Sequence, residues 1–238
     1  MPRRQKRLLP ICLIIIVIIL GAVALHSVSH RSRGVTLYFV RHGQTDTNVA
    51  GLLVGTSGNP TLTETGEEMA AQLGEGLRDI RFDASYSSTL TRAYDTASLV
   101  LSSAGQGDLA ITQLEGLQDI SWGDAEGMTS EEMYEKFGIS TPDEAFGSVD
   151  DAGFVSPVNA ESKYDFCERF ENAVYEILEA QEDGDTVLVV AHSSMDFFFQ
   201  KYFPEQAGSG VENLSVTVLR YEAGEFTLIE YNNTSYLQ

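Results

Sequence analysis

The sequence predicts a three-layer α/β/α sandwich with a mostly parallel central sheet, preceded by a transmembrane helix. Three observations carry that expectation. Short apolar runs rich in β-branched residues alternate with stretches of helical apolar spacing, the pattern of a sheet covered on both faces. Two such runs, 150 positions apart, end in histidines, His42 and His192, each followed by Gly or Ser. A charge-free stretch, residues 8–25, follows a basic N-terminus.

From the front of the chain, residues 1–7 carry Arg3, Arg4, Lys6 and Arg7. Residues 8–25 include the aliphatic run from Ile14 to Leu20. As a helix they span about 27 Å, enough for a thin bilayer core. Pro10 falls in the first turn, where its missing N–H costs little. Ala22-Val23-Ala24 resembles a signal-peptidase site, so secretion after cleavage is the alternative. The run is longer than a usual signal core, which favours a retained anchor. The flanking charges favour a cytoplasmic N-terminus, with the domain outside the cell membrane. Residues 26–33 form a stem and residues 34–238 the domain.

Within the domain, strands are expected over 34–41, 82–87, 109–114 and 187–192. Helices are expected over 63–78, 90–101, 128–137, 162–181 and 196–202. Thr63 is placed to cap the first of these, with Glu64 and Glu67 in its first turn. Ser193 is the expected cap of the last, with Asp196 three residues on. Residues 214–221 and 225–231 alternate around Ala223-Gly224 and read as a hairpin. Residues 138–159 carry two prolines and two glycines beyond Gly138 and show no period, as expected of an insertion over the site.

Charge divides the chain. No acidic residue precedes Gly34, whereas the part from Gly34 on holds nine basic and 35 acidic residues, a formal charge of −26. Such a surface repels nucleic acid and anionic headgroups. A ligand anion must then be held by a local cluster. Cys167 is the sole cysteine outside the apolar stretch, so no disulfide forms within the domain. Open α/β sheets bind ligands beyond the carboxyl ends of their strands. Histidines at two such ends, one beside Arg41, point to a site for an anionic group.

Five segments in order sharpen this reading. They are Arg41-His42-Gly43-Gln44-Thr45 with Asn48, Ser87 to Ala93 with Thr96, and Leu117 to Gly123 with Glu126-Gly127. Glu161-Ser162 with Asp165 and Arg169, then Ala191-His192, complete the set. Together they resemble the histidine phosphatase superfamily, the phosphoglycerate mutase-like family, over most of residues 34–231. The resemblance implies His42 as the nucleophile that carries the phosphoryl group. It implies Arg41, Arg92, Asn48 and Ser193 as phosphate-binding groups and His192 as a donor to the phosphoryl oxygens. Asp119 falls where the family places its proton donor, often a glutamate, with Glu115 and Asp124 as competitors. Glu161 and Ser162 either buttress the pocket or cap the following helix. No metal or cofactor is implied.

The chemistry suits these residue types. Guanidinium groups grip a phosphate dianion in a planar, two-pronged way. A neutral imidazole attacks phosphorus, and a carboxyl group protonates the leaving oxygen. Two departures stand out. Ser193 replaces the family's usual Gly, and Asn59-Pro60-Thr61-Leu62-Thr63 has its proline one place from the usual position. The expected activity is metal-independent hydrolysis of a phosphate monoester, either a small molecule or another phosphorylated substrate such as a phosphoprotein. The alternatives are a phosphoglycerate-type mutase, which the acidic stretch 128–161 disfavours, and a non-catalytic binding module on the same fold.

Overall fold

The computed structural model describes residues 33–237. The anchor expected over 8–25 lies outside them, as does the stem up to residue 32. Among the described residues no helix is long and apolar enough to cross a membrane.

Six strands form one sheet: β1 (Val35–Arg41), β2 (Ala84–Ser88), β3 (Ile111–Leu114), β4 (Thr186–Ala191), β5 (Val216–Glu222) and β6 (Glu225–Asn233). Their order is β3-β2-β4-β1-β5-β6. The first four are parallel; β5 runs antiparallel to β1 and β6 antiparallel to β5. The sheet is therefore mixed, with the expected hairpin forming one edge. Ala223 and Gly224 take φ of 54° and 89° at its tip, the left-handed pair that lets a two-residue turn follow the strand twist.

Helices α1 (Asp46–Val49), α2 (Glu64–Gly76), α3 (Thr91–Ser103), α4 (Ser130–Phe137), α5 (Pro142–Phe146), α6 (Lys163–Glu179) and α7 (Met195–Tyr202) surround it. One face of the sheet buries Val40, Leu188 and Val190 against Leu73 of α2 and Ala97 and Val100 of α3. The other buries Leu37, Phe39 and Val189 against Phe166 and Phe170 of α6 and Phe198 and Phe199 of α7. Side chains alternate across a strand, so Phe39 and Val40 serve opposite cores. That two-sided burial explains why β1 and β4 read as continuous apolar runs.

Three local expectations change. Ser193 does not cap α7; Ser194 holds the cap position in helical geometry and makes no side-chain cap bond. Asp196 turns away to accept from Gly208 N–H, Gly210 N–H and Tyr231 O–H, because the loop before β5 supplies better donors than its own helix end. Residues 138–159 are not featureless. Pro142 starts α5, Thr141 caps it, and Phe146 stacks edge-on against Trp122 at 4.9 Å. Helix α1 was not expected; a reciprocal Thr45–Asn48 capping box makes that single turn.

Candidate active site

Strand register assembles the site. β1 and β4 are adjacent and parallel, with Arg41 opposite Ala191. His42 and His192 therefore leave the sheet side by side, and their ring centres lie 5.2 Å apart. β2 lies on the other side of β4 and delivers α3 with Arg92 in its first turn. The crossover from β3 brings Asp119 to the same point. All four are buried: His42 3% exposed, His192 1%, Arg92 1% and Asp119 5%.

Hydrogen bonds define the state of His42. Its Nδ1 lies 2.7 Å from Gly43 O, so Nδ1 carries the proton and donates. Nε2 then holds a lone pair, and Arg92 Nε donates to it at 3.2 Å. Burial, then the charges of Arg92 and Arg41, hold His42 well below the usual histidine range. His192 is also held well below that range, by burial first and by Arg92 next. Both rings are neutral at neutral pH.

Arg92 spans the site. Its Nη2 meets Asp119 Oδ2 at 3.2 Å and Gly55 O at 3.3 Å, and its Nη1 meets Gly58 O at 3.2 Å. Burial raises Asp119 above the ordinary aspartate range, against the pull of Arg92 and of hydrogen bonds from Ser194 and Ile120 N–H. Arg41 Nη1 donates to Val211 O at 2.7 Å. Arg41 Nε and both ring nitrogens of His192 are buried without a hydrogen-bond partner among the described residues. Unpaired buried polar atoms are costly, and here they converge with arginine charge. The arrangement suits an oxyanion that supplies the missing acceptors.

Surrounding residues hold these groups in place. Arg169 grips Glu161 with two bonds, at 2.6 and 2.8 Å, and donates to the carbonyls of Gly116, Gln118 and Asp119. Ser162 caps α6 through Asp165 N–H at 3.0 Å. The two readings of Glu161-Ser162 thus divide between neighbours: Glu161 buttresses, and Ser162 caps. Asn59 pairs with Thr91 through two 2.8 Å bonds and caps α3 from outside the helix. The displaced proline leaves that clamp in place.

Of the competitors to Asp119, Glu115 is exposed, and Asp124 is exposed and bonded to Asn159 at 2.7 Å. Only Asp119 reaches the cluster. Asn48 spends its amide oxygen on Thr45 N–H and Asn213 Nδ2, so its nitrogen is the end that can serve a ligand. Ser193 is half-buried at the head of α7.

Sequence reasoning missed Asn213, which donates to His42 O at 2.8 Å, and Ser194, which donates to Asp119 Oδ1 at 2.5 Å. Asn213 carried no local signal, since it reaches the site only because β5 lies beside β1. Ser194 was legible as a neighbour of His192 but not as a partner of Asp119. No three His, Cys, Asp or Glu side chains cluster to hold a metal among the described residues.

The histidine phosphatase superfamily (branch 1) profile matches residues 37–234. The chain belongs to that superfamily. Among its relatives in the superfamily is the 2,3-bisphosphoglycerate-dependent phosphoglycerate mutase of Parvibaculum lavamentivorans. It is 35% identical over 164 residues, covering 66% of this chain and 74% of the relative. The phosphoglycerate mutase of Bacillus anthracis superposes with a TM-score of 0.76 at 32% identity, over 87% of this chain and 96% of its own. A mycobacterial glucosyl-3-phosphoglycerate phosphatase, solved with VO3, superposes at 0.70 and 25% identity, over 84% and 99%. Superfamily members similar to this chain thus carry both mutase and phosphatase names.

Proposed function

We propose that this chain is a phosphomonoesterase that works through a phosphohistidine at His42. One observation carries the reading: His42 Nε2 presents its electron pair in a buried cluster, where Arg92 Nε holds it until a phosphoryl oxygen takes that donor over, with His192 beside it and Asp119 joined to it through Arg92. Nε2 attacks phosphorus, the N–P bond forms, and the P–O bond to the leaving group breaks. Asp119, whose protonated form burial favours, gives its proton to the leaving oxygen. Water then attacks the phosphohistidine, Asp119 takes a proton from it, the N–P bond breaks and phosphate departs. Arg41 and Arg92 bind the phosphoryl oxygens throughout. His192 donates as their charge grows. In this reading Asn48 Nδ2 and Ser193 add further donors.

Hydrolysis is preferred to the mutase reading because the site has no second cationic grip. Among the described residues Lys163 is bound to Asp143, Lys201 to Glu171 and Arg169 to Glu161. Lys136 sits over the Phe137 ring. A substrate with anions at both ends finds cations for one of them. The names of the relatives favour the mutase as the second reading. A labelled glycerate phosphate separates the two: hydrolysis releases inorganic phosphate, whereas a mutase returns the label on another glycerate oxygen. We further propose that residues 8–25 anchor the domain outside the cell membrane, on the strength of the apolar run and its basic flank.

His42→Ala should abolish turnover of aryl and alkyl phosphates alike, by at least about a thousandfold. Rapid acid-free quenching with labelled substrate should trap phosphate on the wild type alone. An Ala variant with near-normal turnover would remove His42 from the mechanism.

A further inference from the structure

Asp119 has two carboxyl oxygens, and the fold treats them differently. Oδ1 accepts from Ile120 N–H at 3.0 Å and from the Ser194 hydroxyl at 2.5 Å. Those two donors occupy both lone pairs of a carboxyl oxygen. Oδ2 faces the other way, 3.2 Å from Arg92 Nη2 and 3.7 Å from His192 Nδ1. One of its lone pairs remains for a proton. The Ser194 oxygen is itself held in place, accepting from Ile120 N–H at 3.3 Å, and the residue is only 4% exposed. If the proton of Asp119 sat on Oδ1, the Ser194 hydroxyl would have to turn away into a buried space and lose its acceptor.

We propose that Ser194 is a positioning residue that keeps the transferable proton of Asp119 on Oδ2, the oxygen that faces the phosphoryl site. This rests on the reading of Asp119 as the proton donor. Ser194 touches no reacting atom. It acts by filling the oxygen that points away from the substrate, so each protonation of Asp119 leaves the proton facing the leaving group. In the second half of the cycle the same bias makes Oδ2 the oxygen that takes the proton from water.

The groups around Asp119 set what the loss of Ser194 does. Arg92 reaches it from α3, Arg41 and His42 stand at the end of β1, and His192 at the end of β4. Ser194 is at the head of α7. Arg169 of α6 binds the Asp119 carbonyl rather than the carboxyl group. Only the serine hydroxyl and the Ile120 N–H serve Oδ1. Removing the hydroxyl frees Oδ1 for a misdirected proton. It also takes a donor from the carboxylate form, which favours the protonated form.

The test compares the full-length wild type with Ser194→Ala, Ser194→Cys and Asp119→Asn on p-nitrophenyl phosphate and on glycerol 2-phosphate across pH. The alkyl ester needs its leaving oxygen protonated; the aryl ester barely does. Compared as kcat/KM, which reports phosphohistidine formation and leaves out the hydrolysis step that both esters share, Ser194→Ala should lose about tenfold on the alkyl ester, a fraction of a full general-acid contribution, and stay within about twofold on the aryl ester. The alkaline limb for the alkyl ester should move to higher pH. Cys, nearly the same size with a weaker donor, should fall between Ser and Ala. Equal losses on both esters, or an unmoved alkaline limb, would mean that Ser194 only packs. Asp119→Asn decides the underlying reading: a kcat/KM loss confined to the alkyl ester upholds Asp119 as donor, and equal kcat/KM losses on both esters remove it and the proposal with it.

Discussion

His42 and His192 sit neutral in the folded protein because burial and the neighbouring arginines penalise their charged forms. Their folded pKa values are depressed below that of an unfolded histidine, about 6.5. As pH falls through that value the unfolded chain takes up protons and the native state does not. Unfolding is then favoured, and each histidine removes at most about 1.4 kcal/mol of stability per pH unit. Asp119 has the opposite sign. Its folded pKa is raised, so its cost to stability appears as pH climbs above the unfolded aspartate value, about 3.9. Two histidines outweigh one carboxyl group between pH 6.5 and 5. The urea midpoint should therefore fall more steeply over that interval in wild type than in a His42→Asn/His192→Asn double variant. The background from 35 acidic residues is common to both proteins and drops out of the difference. Parallel curves would mean that the rings titrate normally in the folded state.

At the scale of elements, the site depends on braces that come from outside it. β1 and β4 set the two histidines by register alone. Asp119, by contrast, lies on an irregular crossover between β3 and α4, where no ladder fixes the backbone. Arg169 replaces the ladder by donating to three carbonyls of that crossover, those of Gly116, Gln118 and Asp119, while Glu161 accepts from Ser121 N–H at its other edge. Gly116 lets α6 come close, since a Cβ there would meet Ala173 Cβ at 2.7 Å. Arg169→Ala should destabilise the protein by about 2–3 kcal/mol, because it leaves those carbonyls and a half-buried Glu161 unpaired. It should also slow alkyl phosphates more than aryl ones, since the displaced group is the acid. Thermal unfolding together with the two-ester assay measures both. A variant with normal stability and normal alkyl turnover would show that the crossover holds itself.

At the scale of the whole molecule, charge is segregated. The described basic side chains other than Arg41 and Arg92 mostly pair with acids on the surface, and only the pocket concentrates positive charge. A domain with a formal charge of −26 stays clear of anionic lipid unless something tethers it. The proposed anchor at residues 8–25 supplies the tether. Deletion of residues 1–32 should move the protein from the membrane fraction to the soluble fraction and leave aryl phosphatase activity within about twofold, because the proposed site residues run from Arg41 to Ser193 within the domain. Protease added to intact cells, with any outer layer made permeable, should release the domain. Protection until the cells are lysed would place it on the inner side.

Among the described residues the sequence determined the six strands, five of the seven α-helices and the identity of the charged groups that meet at the site. Those follow from local periodicity, from caps such as Thr63 and Ser162, and from the pairing of apolar runs with terminal histidines. His42 and His192 were legible because strand ends in an α/β sheet have a fixed functional meaning, and Arg92 was legible through the family resemblance of the segment from Ser87 to Ala93. Only the tertiary structure showed that Asp119 turns inward to the cluster while Glu115 and Asp124 face out, since all three lie on one segment without a period to say which side chain is buried. It alone placed Asn213 beside His42, because β5 docks antiparallel to β1, and non-local pairing leaves no mark on nearby residues. It alone separated Ser194 from Ser193. Two adjacent serines at a helix start look alike in sequence, and the turn of the backbone points one of them at the carboxyl group 75 positions earlier in the chain.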